Sequence, residues 1–223
     1  MFKRGLFITF EGVDGVGKTT QAERLRDYLT QTTSLQDYLD VQRPTVLLTA
    51  EPGGTPLGET IRQWLLDPAG PRMGKRAETL LFAADRAQHV AEVIKPALDR
   101  GETVICDRYT DSTVAYQAGG RELDARDIER LNEWATQGLQ PDRTYLLDMN
   151  PMDRRLSGEI DRLEQESSEF QNRVRQKFLD LAAQYPERIM VLDGSLSRNQ
   201  VQELIKADVD RILAERESAA RLA

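Results

Sequence analysis

The chain carries one cysteine and one histidine, and these two scarcities remove several chemistries at once. Cys106 alone can form no internal disulfide, which fits a reducing compartment. It sits in the apolar run Thr103-Val104-Ile105-Cys106 and reads as a packed core thiol, not a nucleophile. A lone His89 on a helical stripe assembles no histidine-rich metal site and reads as structural. Long apolar runs are also missing: none approaches the ~20 residues that span a bilayer, so no membrane partner is expected. Met1 to Gly5 leads straight into the first apolar run, which leaves no room for a cleaved signal, so the expected location is cytoplasmic. Positive charge is in deficit, with a net charge of −7. That balance argues against nucleic acid as a partner and toward a small ligand held by local charge clusters.

The rest of the chain is ordinary in composition and regular in order. At 223 residues, with 39% hydrophobic and 30% charged residues, residues 1–223 are expected to form a single globular domain. Five short apolar runs stand out, at Leu6 to Phe10, Thr45 to Thr49, Thr103 to Asp107, Arg143 to Asp148 and Arg188 to Asp193. Long stretches of helical periodicity separate them. This alternation predicts an α/β fold with a parallel sheet covered on both faces, ligands binding at the carboxyl ends of the strands. A helix is expected from about Arg76 to Leu98, with Ala77, Leu80, Leu81, Ala84, Ala87, Val90, Ala91, Ile94 and Leu98 as its core stripe. Phe82, Asp85 and Arg86 fall off that stripe, and Pro96 suggests a kink or an early stop. Gln31 to Gln42 reads as an extended connector, and the last dozen residues as a helix that frays.

The strongest local signal is Gly12-Val13-Asp14-Gly15-Val16-Gly17-Lys18-Thr19, a phosphate-binding P-loop, followed by Thr20. Its context is right, because an apolar strand precedes it and helical spacing follows. The three glycines let the loop curl so that several N–H groups reach phosphate oxygens, and the helix N-terminus adds partial positive charge. Lys18 supplies a mobile cation, and the Thr19 hydroxyl is suited to Mg²⁺. The expected ligands are therefore a nucleoside triphosphate and Mg²⁺, and the resemblance given below makes the triphosphate ATP. Arg62, Arg86 and Arg108 add cations, with Arg108 directly after a strand, and these outnumber plausible general bases. That balance suits a kinase acting on a phosphate, since a monophosphate is already mostly dianionic at neutral pH and needs positioning more than deprotonation.

Several further segments share one pattern: Glu11 to Thr20, Glu51-Pro52-Gly53-Gly54-Thr55, Leu81 to Arg86, Asp107-Arg108-Tyr109-x-x-Ser112-Thr113-x-Ala115-Tyr116-Gln117, and Asp161 to Glu164. Taken in order, they closely resemble bacterial thymidylate kinases, from about Gly5 to Leu213. The resemblance implies a P-loop NTPase-type three-layer α/β/α fold with a five-stranded parallel sheet. It also implies a homodimer and the reaction ATP + dTMP → ADP + dTDP, which supplies dTTP for DNA synthesis. On this resemblance Arg108 and Arg62 grip the acceptor phosphate, Asp14 reaches the sugar 3′-OH, and Asp107 holds Mg²⁺ through water. Phe82 stacks on thymine, Arg86 bonds its O4 edge, Gln117 helps read the ring, and Tyr116 packs beneath the deoxyribose. Glu51 and Ser112 complete the substrate-binding set.

A lid is implied at about residues 152–166. It departs from the family where Ser157 stands in place of a frequent arginine, and Gly15 stands where some members carry a P-loop arginine. Arg155 or Arg162 is expected to stabilise the transferring phosphoryl group, with Arg154 as a further candidate. The competing readings are another nucleoside monophosphate or deoxynucleoside kinase, and a non-catalytic ATP-binding switch.

Overall fold

The computed structural model describes residues 4–70, 72–153 and 161–222, with side chains to residue 219. Five strands, β1 (Phe7–Glu11), β2 (Val46–Ala50), β3 (Thr103–Asp107), β4 (Arg143–Asp148) and β5 (Ile189–Asp193), pair in parallel in the order β2-β3-β1-β4-β5. β3 and β4 coincide with the expected runs, and the other three begin one residue later. These segments are strands because a parallel sheet is buried on both faces and selects short, continuous apolar runs. The chain winds outward on both sides of β1, so the carboxyl ends of β1, β3 and β4 flank the crevice where such sheets bind ligands.

The helices are α1 (Lys18–Leu29), α2 (Thr33–Leu39), α3 (Pro56–Leu66), α4 (Lys75–His89), α5 (Lys95–Asp99), α6 (Thr110–Thr113), α7 (Ala125–Thr136), α8 (Ser168–Gln184) and α9 (Arg198–Leu222). π-Helical turns at Val90–Ile94 and Val114–Gly120 extend α4 and α6. Side chains fix several of the starts. Thr55 accepts from the Gly58 N–H at 2.9 Å ahead of Pro56, and Ser167 accepts from the Phe170 N–H at 3.3 Å. Along β1 the side chains alternate. Ile8 and Phe10 enter the larger core with Leu25, Val174 and Ile205, while Phe7 faces Val90, Ile94, Val104 and Tyr109 in the smaller one. Cys106 belongs to the smaller core, and burial raises its thiol pKa well above the ordinary value.

Two expectations are corrected. Residues 31–42 are not an extended connector, because α2 occupies their centre. Leu35 and Tyr38, one turn apart, are buried where α2 packs on α9, and Asp40 ends the helix at φ +57°. The first part of the expected Ala77-to-Leu98 stripe is also reversed, whereas Val90, Ile94 and Leu98 are buried as expected. Leu80 is 58% exposed and Ala77 and Ala84 face solvent, while Glu78, Asp85, Arg86 and His89 point inward. The inner face of α4 is polar because Arg86 lines the cleft described below, while Glu78, Asp85 and His89 bond groups around it. Pro96 neither stops nor breaks the run: it lies in the first turn of α5, after the π turn, where proline is tolerated. At the other end α9 is one 25-residue helix, packed through Val201, Ile205, Val209 and Leu213.

Candidate active site

Two clefts open at the carboxyl edge of the sheet. The first follows the loop between β1 and α1. Gly12 is held at φ +134°, and a Cβ there would lie 2.4 Å from the Leu147 carbonyl oxygen. Gly17, at φ +99°, is the N-cap of α1 and leaves that helix start without a side-chain cap. The first N–H groups of α1 therefore face outward as an anion site, with Val13, Gly15, Val16 and Thr20 completing the turn. Lys18 is buried. Its Nζ donates to Val13 O at 2.9 Å and stands 3.9 Å from Asp14 Oδ1, while burial and the charge of Arg108 lower its pKa. Thr19 Oγ1 donates to Asp107 Oδ2, and Asp107 Oδ1 is buried with no hydrogen-bond partner among the described residues. A hydroxyl and a carboxylate with a spare oxygen form a hard donor set that fits Mg²⁺. Leu147, Met149, Asp153 and the Gly194–Asn199 segment wall the rest of this cleft.

The second cleft is lined by Phe82, Arg86, Ser112, Thr113, Tyr116 and Gln117. It meets the first at Asp14, Glu51, Pro52, Arg62, Arg108 and Asp161, which border both. Arg108 stands at the junction with φ +71°, a conformation few non-glycine residues adopt. The turn is held by Glu11 at the end of β1. Its Oε1 accepts from the N–H groups of Tyr109 (2.8 Å) and Ser112 (3.3 Å), and its Oε2 from the Ser112 hydroxyl. Burial, then the neighbouring Asp111, push the Glu11 carboxyl up to about 7. The Arg108 guanidinium donates to Gly12 O (3.1 Å), Ser112 Oγ (3.0 Å) and Asp14. It also stacks 5.2 Å from the Tyr116 ring centre. Tyr116 donates its hydroxyl to Asp14 Oδ2 at 2.8 Å. Burial works against the charged form of Asp14, but Arg108, Lys18 and that hydroxyl hold its carboxyl well below the usual range.

Arg86 is buried and almost fully engaged. It donates to Glu51 (2.8 Å), Thr113 (2.5 Å), Asn132 (2.9 Å) and Tyr109 O (2.9 Å). Glu51 borders both clefts, yet its oxygens serve Arg86 and the His89 ring at 2.9 Å, so it acts on the site by holding Arg86. His89 is structural, as expected, and its second ring nitrogen pairs with Thr49 Oγ1 at 2.7 Å. Arg62 on α3 donates to Pro52 O at 2.7 Å. Gln117 donates to Glu78 at 3.2 Å. Arg155 and Arg154 lie outside the described residues. Arg162 turns to Glu78 (2.7 Å) and Leu65 O (2.9 Å) and does not line either cleft.

Sequence reasoning missed Glu11, Glu78, Thr113 and Asn132. Glu11 and Thr113 carried a usable signal, since one ends a strand and the other follows Ser112. Glu78 and Asn132 carried none, because only tertiary packing brings them to the cleft.

The arrangement can hold two phosphate-bearing groups end to end, cations lining the junction. The whole chain, beyond this site, is similar to known proteins. A family model described as thymidylate kinase matches residues 10–205. A thymidylate kinase of Bifidobacterium longum subsp. infantis is 57% identical over 214 residues, covering 94% of this chain and 88% of that one. One from Cutibacterium acnes is 48% identical over 212 residues, covering 94% and 98%. A crystal structure of thymidylate kinase from Ehrlichia chaffeensis superposes with a TM-score of 0.72 at 36% identity, covering 92% of this chain and 99% of that one.

Proposed function

Since this chain belongs to the thymidylate kinase family and phosphorylates dTMP to dTDP, we propose that the P-loop cleft takes Mg·ATP and the second cleft takes dTMP. The observation that carries this reading is the meeting of the two clefts at Arg108, Arg62 and Asp14. Lys18 and the N–H groups of α1 hold the donor phosphates. Thr19 and Asp107 would hold Mg²⁺, which when bound neutralises charge on the β- and γ-phosphates. Arg108 and Arg62 clamp the acceptor phosphate in line with the donor, and the dianionic acceptor attacks without a general base. Phe82 stacks on the thymine, Arg86 donates to O4, Gln117 reads the ring, and Tyr116 closes the pocket under the sugar, where a 2′-hydroxyl would collide. Asp14, kept anionic, accepts from the 3′-hydroxyl and aligns Arg108; Ser112 steadies that arginine from its other side. The engagement of Arg162 by Glu78 and Leu65 favours an anchoring role for it, which leaves Arg155 or Arg154 as the lid cation at the transferred phosphoryl group. Residues 1–223 act as one kinase domain with a lid at about 152–166, working in the cytoplasm without nucleic acid as a partner.

A coupled ADP-release assay with Mg·ATP and a panel of dTMP, dUMP, dCMP, dGMP, AMP and thymidine tests the assignment of the clefts. Fast release with dTMP, a weak signal with dUMP and none with the rest is expected. Equal turnover of a purine monophosphate would overturn the base-pocket roles.

The working form is a homodimer. The solvent faces of α3, α4 and α7, three helices packed side by side, expose Leu57, Trp64, Leu80 and Trp134. Apolar surface of this kind is suited to a second copy. The native chain should sediment as a dimer and the Leu80→Asp variant as a monomer with an unchanged melting profile at high dilution; a native monomer at micromolar concentration would refute the dimer.

A further inference from the structure

Glu78 lies one helical turn before Phe82 on α4, and no step above uses it. The residue is 1% exposed, and its carboxylate receives donors at both oxygens. Oε1 accepts from Gln117 Nε2 (3.2 Å) and Arg121 Nε (3.0 Å). Oε2 accepts from Arg121 Nη2 (3.1 Å) and Arg162 Nη1 (2.7 Å). A carboxylate offers about four acceptor sites, so its capacity is filled. Burial alone would raise its pKa, but the bonds from Arg121 and Arg162 hold it below the ordinary value. Glu78 is therefore an anion at neutral pH, and an anion can only accept.

An acceptor-only neighbour decides which way an amide lies. The NH₂ end of Gln117 must face Glu78, which leaves its carbonyl oxygen as the end available to the cleft it lines. Arg86 is constrained in the complementary sense. Four of its five N–H groups are taken by Glu51, Thr113, Asn132 and Tyr109 O, leaving one donor on Nη2. We propose that Glu78 is a specificity-determining residue: by locking the Gln117 amide it presents an acceptor to the base, beside the donor of Arg86, and so selects pyrimidines with a carbonyl at C4 and an N–H at N3. Cytosine carries an amino group and a bare ring nitrogen at those places, so it is mismatched at both. Arg162, tied to Leu65 O and by its N–H to Leu66 O at 3.1 Å, and Arg121 keep Glu78 from turning away. The inference deepens the assignment of this cleft to dTMP and rests on it.

The test is steady-state kinetics of the native enzyme and Glu78→Gln with dTMP, dUMP and dCMP at saturating Mg·ATP. The new amide can present either end, so Gln117 is released to turn. The dTMP-over-dCMP ratio of kcat/KM should then fall by about 10–100-fold. The dTMP-over-dUMP ratio, set by the methyl contact, should stay within about twofold, whereas a merely structural lesion would move all three acceptors together. Gln117→Leu should narrow the cytosine ratio by itself, and adding Glu78→Gln should narrow it no further. An unchanged ratio in Glu78→Gln, with the native enzyme still rejecting dCMP, overturns the inference. A native enzyme that accepts dCMP overturns the base-pocket assignment instead.

If Glu78→Gln fails to fold, side-chain ¹⁵N NMR of the native chain decides. The Gln117 NH₂ signal, assigned by its loss in Gln117→Leu, should remain protected from exchange before and after dTMP is added. Protection gained only with dTMP would show the amide nitrogen facing the base and would overturn the proposal.

Discussion

Arg108→Ala should lower kcat/KM for dTMP by about 10³-fold or more, the scale on which an arginine at a reacting phosphate operates. The geometry concentrates several demands on this one side chain. Its backbone is held at φ +71° by the Glu11 carboxylate, and its guanidinium spans Gly12 O, Ser112 and Asp14 at the border of the two clefts. A planar fork can exchange some of those contacts for a pair of N–H bonds to a phosphate. Lysine cannot, because its ammonium is a single point charge, so Arg108→Lys should recover less than a tenth of the loss. Affinity for ATP alone, measured by nucleotide titration without dTMP, should change far less, since the proposed donor site is built on Lys18 and the start of α1. An Arg108→Ala enzyme with more than a tenth of native kcat/KM would remove Arg108 from the acceptor-phosphate role.

The second large effect is chemical discrimination among pyrimidines. The enzyme should turn over dUMP at about 10–200-fold lower kcat/KM than dTMP, because a missing methyl in an apolar pocket is worth only about 1–3 kcal/mol. Rejection of dCMP should reach about 10⁴-fold. The difference has a physical origin. A lost methyl forfeits some apolar contact, whereas cytosine leaves a buried donor on Arg86 facing another donor. Arg86 cannot swing aside to relieve the clash, for Glu51, Thr113, Asn132 and Tyr109 O hold it in place, and His89 holds Glu51. Measured kcat/KM values for the three monophosphates would decide the matter, and comparable values for dCMP and dUMP would sink the assignment of Arg86 to O4.

The five strands and the phosphate-binding loop were legible without coordinates because each is a local matter. A strand buried on both faces must be a short apolar run, and a loop that wraps phosphate needs glycine where φ is positive, as at Gly12 and Gly17. Arg108 was legible for the same reason, standing directly after β3. The inner face of α4 was not. Hydrophobic periodicity assumes that the inward side of a helix meets an apolar core, and α4 instead walls a polar cleft, so Glu78, Asp85, Arg86 and His89 turn in and Leu80 turns out. The short α2 was missed because its composition is largely polar and it is anchored through Leu35 and Tyr38, with Leu39 beside them.

The sequence by itself determined the five strands, the phosphate-binding loop and the placing of Arg108 at a strand end, because those features depend on neighbouring residues. Tertiary structure alone decided which partners each buried carboxylate holds. Glu11 reaches Tyr109 and Ser112, Glu51 reaches Arg86, and Glu78 reaches Gln117, Arg121 and Arg162. Pairings between residues so far apart in sequence have no local signature: they arise when the sheet closes and leaves each buried charge to find its partner or go unsatisfied.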